Sequence, residues 1–204
     1  MDDKEKPIKD FSDELQEWLD SDQKKTIAGL EEVFGEKSFA MMFFLLLSAS
    51  ALPLPTGGLT NIFEAFAMFL ALQLIAQRRT IWLPKRWRSK KLGSKMQTKT
   101  LPYLIKKIKK VEKRSRPRMS KFIESRISRT CFGIIVFALS LVAFFAPPFS
   151  GLDTLPALGV LGISLGVLFG DVVIVMAGAA IGALGAVLSI GFGTVVVKFI
   201  SGLF

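Results

Sequence analysis

An apolar run from Phe39 to Ala76 is broken at its middle by the segment Leu-Pro-Leu-Pro-Thr-Gly-Gly, residues 52–58. Proline removes a backbone donor and clashes with the preceding helical turn, and glycine weakens a helix further, so no single helix passes through this segment. The flanks are short. Phe39–Leu52 gives about 14 residues, roughly 21 Å of helix, against a hydrocarbon core of about 30 Å, and Thr60–Ala76 gives about 17 residues. In lipid every backbone N–H and C=O needs a partner, so broken helices occur there only where protein or a water-filled cavity covers them. Two forms fit: a tight pair of short spanning helices, or a re-entrant hairpin.

The break recurs. Displacing the chain by 93 positions lays "ALPLPTGGLTNIFEAFAMFLALQLIAQ" over "FFAPPFSGLDTLPALGVLGISLGVLFG", matching Pro55 with Pro148, Gly58 with Gly151 and Leu59 with Leu152. Leu72 falls on Leu165, and Arg78 on Asp171. Each copy reads as an apolar run, a Pro-containing break, a Gly-Leu pair and a second apolar run. Paired breaks in corresponding positions of two halves point to a transporter's binding site. A last apolar run, Val172–Val197, is long enough to cross a membrane alone, and its Gly178 and Gly182 suit close helix packing.

The expected architecture is an all-α, polytopic membrane protein. Residues 1–37 form acidic amphipathic helices, with Phe11, Leu15, Trp18 and Leu19 on one side of the first and Ile27, Leu30, Val33 and Phe34 on one side of the second. Residues 38–77 hold the first broken-helix repeat. Residues 78–130 form a basic cytoplasmic loop, and residues 131–204 hold the second repeat and the Gly/Ala-rich final helix. The loop carries about twenty Lys and Arg against Glu112 and Glu124, the bias of the positive-inside rule. Within it Leu101, Leu104, Ile105, Ile108 and Val111 make an apolar stripe on a lysine-rich helix, expected to lie at the interface against anionic headgroups. That stripe argues against nucleic acid as the partner.

Composition narrows the chemistry. With no His and one Cys, the usual zinc and copper ligand sets are absent and Ser-His or Cys-His catalysis is excluded. No metal, cofactor or enzymatic activity is expected. Cys131 borders an apolar run and reads as a buried thiol.

The informative polar residues lie inside the apolar runs. Glu64, between Phe63 and Phe66, is costly at depth unless protonated, paired or facing a cavity, and is the leading candidate for an ion pathway. Asp153 follows the second break and can alternatively cap the next helix. Asp171 ends the second repeat. Asn61, Gln73 and Gln77 either line a polar path or hydrogen-bond between helices. The breaks themselves, Pro53, Pro55, Gly57, Gly58, Pro147, Pro148 and Gly151, would shape the site.

Four stretches carry a family resemblance: "LPLPTGG"; "ALQLIAQRRTIWLPKRW" with Trp82-Leu83-Pro84; "VEKRSRPRMS" with Arg116-Pro117-Arg118; and "APPFSGLDTLPALGVLGISLGVLFGD". In order and spacing the chain resembles the ExoD family of bacterial membrane proteins, named for exopolysaccharide synthesis, from about Thr26 onward. It departs where the family commonly has Gly-Arg (here Gln77-Arg78) and Arg-Asp-Gly (here Gly170-Asp171-Val172). The resemblance implies an inner-membrane protein associated with exopolysaccharide production and alkaline tolerance, and brings no established reaction. The function expected is a small ion or solute transporter, proton- or cation-coupled, acting as a homodimer. The alternative is a non-transporting scaffold for exopolysaccharide synthesis.

Overall fold

The computed structural model describes residues 11–51, 59–84, 94, 97–98, 101–116, 120–123, 125–146 and 151–201. Pro53, Pro55, Gly57, Gly58, Pro147 and Pro148 lie outside the described residues. The main elements are α1 (Phe11–Asp20), α2 (Ile27–Phe34), a 3-10 turn (Gly35–Lys37), α3 (Ser38–Ser50), α4 (Leu59–Ile75), α5 (Leu101–Glu112), a single turn (Ser120–Ile123), α6 (Arg126–Phe145), α7 (Thr154–Phe169) and α8 (Val172–Ser201). They fall into two compact units, residues 1–33 with 83–116 and residues 34–82 with 117–204.

In the first unit α1 packs on α5. Phe11, Leu15 and Trp18 of α1 are buried, as are Leu101, Ile105 and Ile108 of α5. The stripe expected to rest on lipid is therefore covered by protein, because α1 offers a complementary apolar face of opposite charge. Glu112 accounts for the antiparallel register. Its carboxylate accepts from the Phe11 amide at 2.6 Å and the Ser12 amide at 3.1 Å. A negative charge thus closes the positive end of the α1 dipole and satisfies two orphan N–H groups. At the other end the Lys25 ammonium donates to the Trp18 carbonyl and, at 2.6 Å, to the Ser21 carbonyl. The Lys109–Asp13 pair at 2.9 Å is half-exposed on both sides and contributes at most about 1 kcal/mol.

The second unit is a bundle of two hairpins and a final helix. α3 packs on α7 and α4 on α6, while α7 also carries most of the contact with α8. Exchanging the hairpins (α3 for α6, α4 for α7) leaves the cross-pairing unchanged. Four hydrogen bonds set the register. Asn61 at the start of α4 donates to the Phe144 carbonyl at the end of α6 (2.9 Å), and Gln77 after α4 donates to the Arg126 carbonyl at the start of α6 (2.9 Å). Lys37 before α3 donates to the Leu168 carbonyl near the end of α7, and Ser189 of α8 donates to the Leu152 carbonyl before α7. The ends of α3 and α6 and the starts of α4 and α7 consequently lie at one end of the bundle, and Lys37, Arg78, Arg126 and Arg129 at the other. The two halves run parallel rather than inverted.

The halves also close alike. Gln77 has φ 58° and Gly170 has φ 68°, positions 93 apart in the chain. Arg78 N–H donates to Gln73 C=O at 3.1 Å and Asp171 N–H to Gly166 C=O at 2.9 Å, the same six-to-one closure of a helix C-terminus. Gln77 holds its left-handed backbone without being glycine, a conformation that costs about 1 kcal/mol or more. Its side chain offsets that by donating to the Arg126 carbonyl and, at 2.5 Å, to the Thr130 hydroxyl.

Two helices, Arg126–Phe145 and Val172–Thr194, are long and apolar enough to cross a membrane. α6 begins five residues before the expected end of the basic loop because Ser125 caps it, its hydroxyl accepting from the Ser128 amide at 3.2 Å. The outer surface is apolar: Ile62 and Leu72 of α4, Ile134 and Phe145 of α6, and Met176, Leu184 and Val187 of α8 are all exposed.

Glycines let α7 and α8 touch backbone to backbone. A Cβ on Gly159 would stand 2.3 Å from Gly182 Cα, and one on Gly178 would stand 2.4 Å from the Ile163 amide. Gly178 and Gly182 are thus used within the chain, so any contact between copies through α8 must use its outward face. A similar approach joins α6 to α4, where a Cβ on Gly133 would meet Ile75 at 2.8 Å and Ala71 C=O at 3.1 Å. By contrast nothing lies within 4 Å of Gly191.

Two outcomes are expected. Gly159→Ala lowers the thermal midpoint of the detergent-solubilised protein, by the 1–3 kcal/mol or so typical of overpacking, whereas Gly191→Ala leaves it unchanged or raises it. Glu112→Ala speeds amide hydrogen exchange across α1, with a loss of about 1 kcal/mol, and leaves exchange in α7 and α8 as it was.

Candidate functional site

The inward positions of α4 are Thr60, Glu64, Ala67, Ala71 and Leu74, all buried and spaced alternately four and three residues apart. That spacing is the seam of a packed helix, so Glu64 occupies a core position by register and is turned away from the outer face that carries Ile62 and Leu72. It is 0% exposed. The hydroxyl-bearing and acidic groups acting on its carboxyl are Asp153, which precedes α7, and Ser50, which ends α3. The Ser50 hydroxyl lies near enough to act on the Glu64 carboxyl as a hydrogen-bonding group, but no hydrogen bond of good geometry reaches either Glu64 oxygen or the Ser50 hydroxyl among the described residues. Ser140, buried in α6 at the level of Glu64 by the Asn61–Phe144 register, is likewise unpartnered.

Such an arrangement is costly. A buried polar group without a partner loses about 1–3 kcal/mol, and a charged one more. Two carboxyls that face each other repel when both are ionised. A proton shared at the site, or a bound cation ligated by the Glu64 and Asp153 oxygens with Ser50, would remove the penalty. Among the described residues there is no group of three or more acidic, Cys or His side chains that could hold a metal ion.

The other sequence candidates have different places. Asn61 lies in the first turn of α4, within one turn of Glu64, but its amide is committed to the Phe144 carbonyl. Gln73 lies nine residues beyond Glu64, toward the basic end. It clamps the extended segment that follows α4: Trp82 N–H donates to Gln73 Oε1 at 2.7 Å, and Gln73 Nε2 donates to the Trp82 carbonyl at 3.2 Å. Asp171 is 3% exposed and its Oδ1 accepts from the Val173 amide at 3.0 Å. It caps α8 between the left-handed Gly170 and the next helix, a whole helix length from Glu64. Gln73 and Asp171 thus each bond to nearby backbone. Asp153 makes no side-chain cap to α7, contrary to the capping role considered for it, which leaves its carboxyl to face Glu64. Gly151, exposed with φ 69°, turns the chain into α7.

Ser50 and Ser140 went unnoticed in the sequence. The signal that could have found them was the same seam: Ser140 falls three and four residues from Val136, Ala143 and Phe144 on the buried side of α6. Ser50 carries no such signal, since α3 is apolar all round.

A profile described as "Exopolysaccharide synthesis, ExoD" matches residues 11–191. An uncharacterized protein of Synechocystis sp. is 28% identical over 171 residues, covering 82% of this chain and 80% of that protein. Protein ExoD of Rhizobium meliloti is 25% identical over 154 residues, covering 75% of this chain and 64% of its own length. No solved structure matches. With the profile spanning both hairpins and the α1–α5 pair, the chain belongs to the ExoD family.

Proposed function

We propose that this ExoD-family chain is a multi-pass protein of the bacterial inner membrane that moves a proton or small cation by way of Glu64, in support of exopolysaccharide production. The observation that carries the proposal is a fully buried carboxyl, without a well-formed hydrogen bond among the described residues, that feels the charge of a second carboxyl, Asp153. The bundle's polarity supports the membrane setting: its outside is apolar and its inside holds Glu64, Ser50, Ser140 and Ser164. The matched helix corners and the interchangeable cross-pairing support a duplicated hairpin. Because α6 has 20 residues, about 30 Å of helix, its length supports a reading in which the end of α6 reaches the far face. Glu64 then stands about 8 Å inside that face, five helical rises from the start of α4. The basic end faces the cytoplasm under the positive-inside rule. A homodimer would join through the outward face of α8, around Met176, Leu184 and Val187.

Reconstituted in vesicles with an internal pH-sensitive dye, the wild type is expected to carry ion-dependent proton flux. Glu64→Gln abolishes that flux, and Asp153→Asn reduces it by about tenfold, the loss of roughly 1.4 kcal/mol of site energy. Absence of flux in the wild type, or full flux in Glu64→Gln, overturns the reading. In a Cys131→Ser background, Gly151→Cys is labelled by an impermeant reagent from outside the cell and Thr80→Cys only after permeabilisation; the reverse pattern would invert the orientation.

A second reading is an accessory factor that organises exopolysaccharide synthesis without transport. It is favoured by the exposed lysines of α5 (Lys106, Lys107, Lys110), a surface suited to an acidic partner. Co-purification with a polysaccharide synthase, together with absent flux, selects it.

A further inference from the structure

After the corner at Gln77 the chain folds back along α4 as a strap without regular secondary structure, residues 78–82. Gln73 holds it. Its side-chain amide takes both backbone groups of Trp82, accepting from the N–H at 2.7 Å and donating to the carbonyl at 3.2 Å. Gln73 is buried, while Trp82 is 56% exposed. The indole rests against Phe69 of α4, ring centres 6.2 Å apart. Phe69 belongs in turn to the exposed apolar face of α4 that carries Ile62 and Leu72. A strap lying in water needs no such clamp, since solvent satisfies its backbone groups. In lipid every N–H and C=O needs a protein partner, and Gln73 supplies both for the residue that carries the exposed ring. The level agrees. Gln73 lies four residues in from the corner, about 6 Å along the helix. The interfacial layer on each side of the hydrocarbon is roughly 5–8 Å deep. With the exposed Arg78 among the headgroups, Trp82 reaches the edge of the hydrocarbon, where amphipathic rings concentrate.

We propose that Trp82, positioned by Gln73, is an anchor that seats the bundle in the phospholipid of the cytoplasmic leaflet. Its ring lies over Phe69 at the edge of the acyl chains, and its indole N–H turns toward glycerol and phosphate oxygens. The clamp selects this occupant. A protein partner could bond the backbone of the strap itself, as an added strand does, whereas lipid tails cannot. The inference rests on the multi-pass membrane reading and is independent of Glu64 and of transport. Gln73 is a positioning residue that acts through the backbone of Trp82.

Fluorescence quenching by depth tests the anchor. Full-length protein is placed in phosphatidylcholine nanodiscs whose acyl chains are unlabelled, brominated near the headgroup or brominated near the chain end, with iodide as the aqueous quencher. Every protein carries Cys131→Ser, because that thiol, read from sequence as buried, is exposed and lines a cleft and would cross-link copies. The signal of Trp82 is the emission beyond that of Trp82→Phe. It is expected to lose most of its intensity to shallow bromine, much less to deep bromine and little to iodide. Gln73→Asn, whose amide is one carbon too short to reach the strap, moves the loss from bromine to iodide. Trp82→Phe/Ile134→Trp puts a ring on the exposed face of α6 and reports on the membrane reading itself, with bromine quenching expected. Iodide quenching of Trp82 without bromine quenching, while the ring at position 134 stays bromine-sensitive, overturns the anchor and leaves the membrane reading standing. Bromine quenching of neither ring overturns both. Equal loss to deep and shallow bromine removes Trp82 from the edge, and an unchanged pattern in Gln73→Asn removes the clamp; either overturns the proposal. The first comparison needs no change at Gln73, so the placement is decided whether or not Gln73→Asn folds.

Discussion

Asn61 reaches from the first turn of α4 to the last carbonyls of α6, and Gln77 reaches from the far end of α4 to the first carbonyls of α6. These amide-to-backbone bonds fix two antiparallel helices at both ends, in one register and one direction. The rest of the bundle depends on that constraint. It sets the start of α4 beside the end of α6, near where Asp153 and Ser50 act on Glu64, and leaves Arg78 and Arg126 together at the other end. A slip of one residue along α4 would carry Glu64 off the seam, since neighbouring positions on a helix point about 100° apart. The side chains that do this work are polar groups satisfied by main-chain carbonyls, and their value lies in orientation more than in net stability.

The bundle is apolar outside as well as inside. Isoleucine, leucine and phenylalanine lie on its outside as well as in its core, and the buried polar groups are several serines, Thr60, Gln73, Glu64 and Asp171. Close backbone approach joins its helices, as small residues allow. Hence the glycines where α7 meets α8, and Gly133 against Ala71 where α6 meets α4. Against that economical packing Glu64 stands out, because it adds a penalty that no described partner relieves. The serines around it share the same lack of partners.

Charge organises the smaller unit differently. α1 is acidic and α5 basic, each has one apolar face, and each covers the other's. Glu112, one of two acids in the basic segment, is used at the point where a helix dipole offers most, while the surface pair Lys109–Asp13 adds little. What remains exposed is a lysine face without its apolar stripe, so its contribution to any surface it meets is electrostatic and weakens with salt.

Much was legible in the sequence because it is local. Helix periodicity, the two breaks, the glycine after α2, the spanning length of the last helix and the basic segment all depend on residues a few positions apart. Glu64 stood out because a carboxyl inside an apolar run is rare for an energetic reason that needs no fold. The Gln77–Gly170 correspondence was present in the alignment of the two halves, but not its meaning, which required the left-handed backbone at both. Other features were decided only by tertiary structure, because they rest on which distant surface each face meets. The stripe on α5 meets α1 and not lipid. Gly178 and Gly182 meet α7 and not a second copy, and Cys131 opens onto a cleft. Gln73 and Asp171 serve backbone amides and carbonyls that only the turns bring within reach. Periodicity says that a face will be buried; the identity of its partner is a non-local fact, set by register, and that is what placed Asp153 beside Glu64.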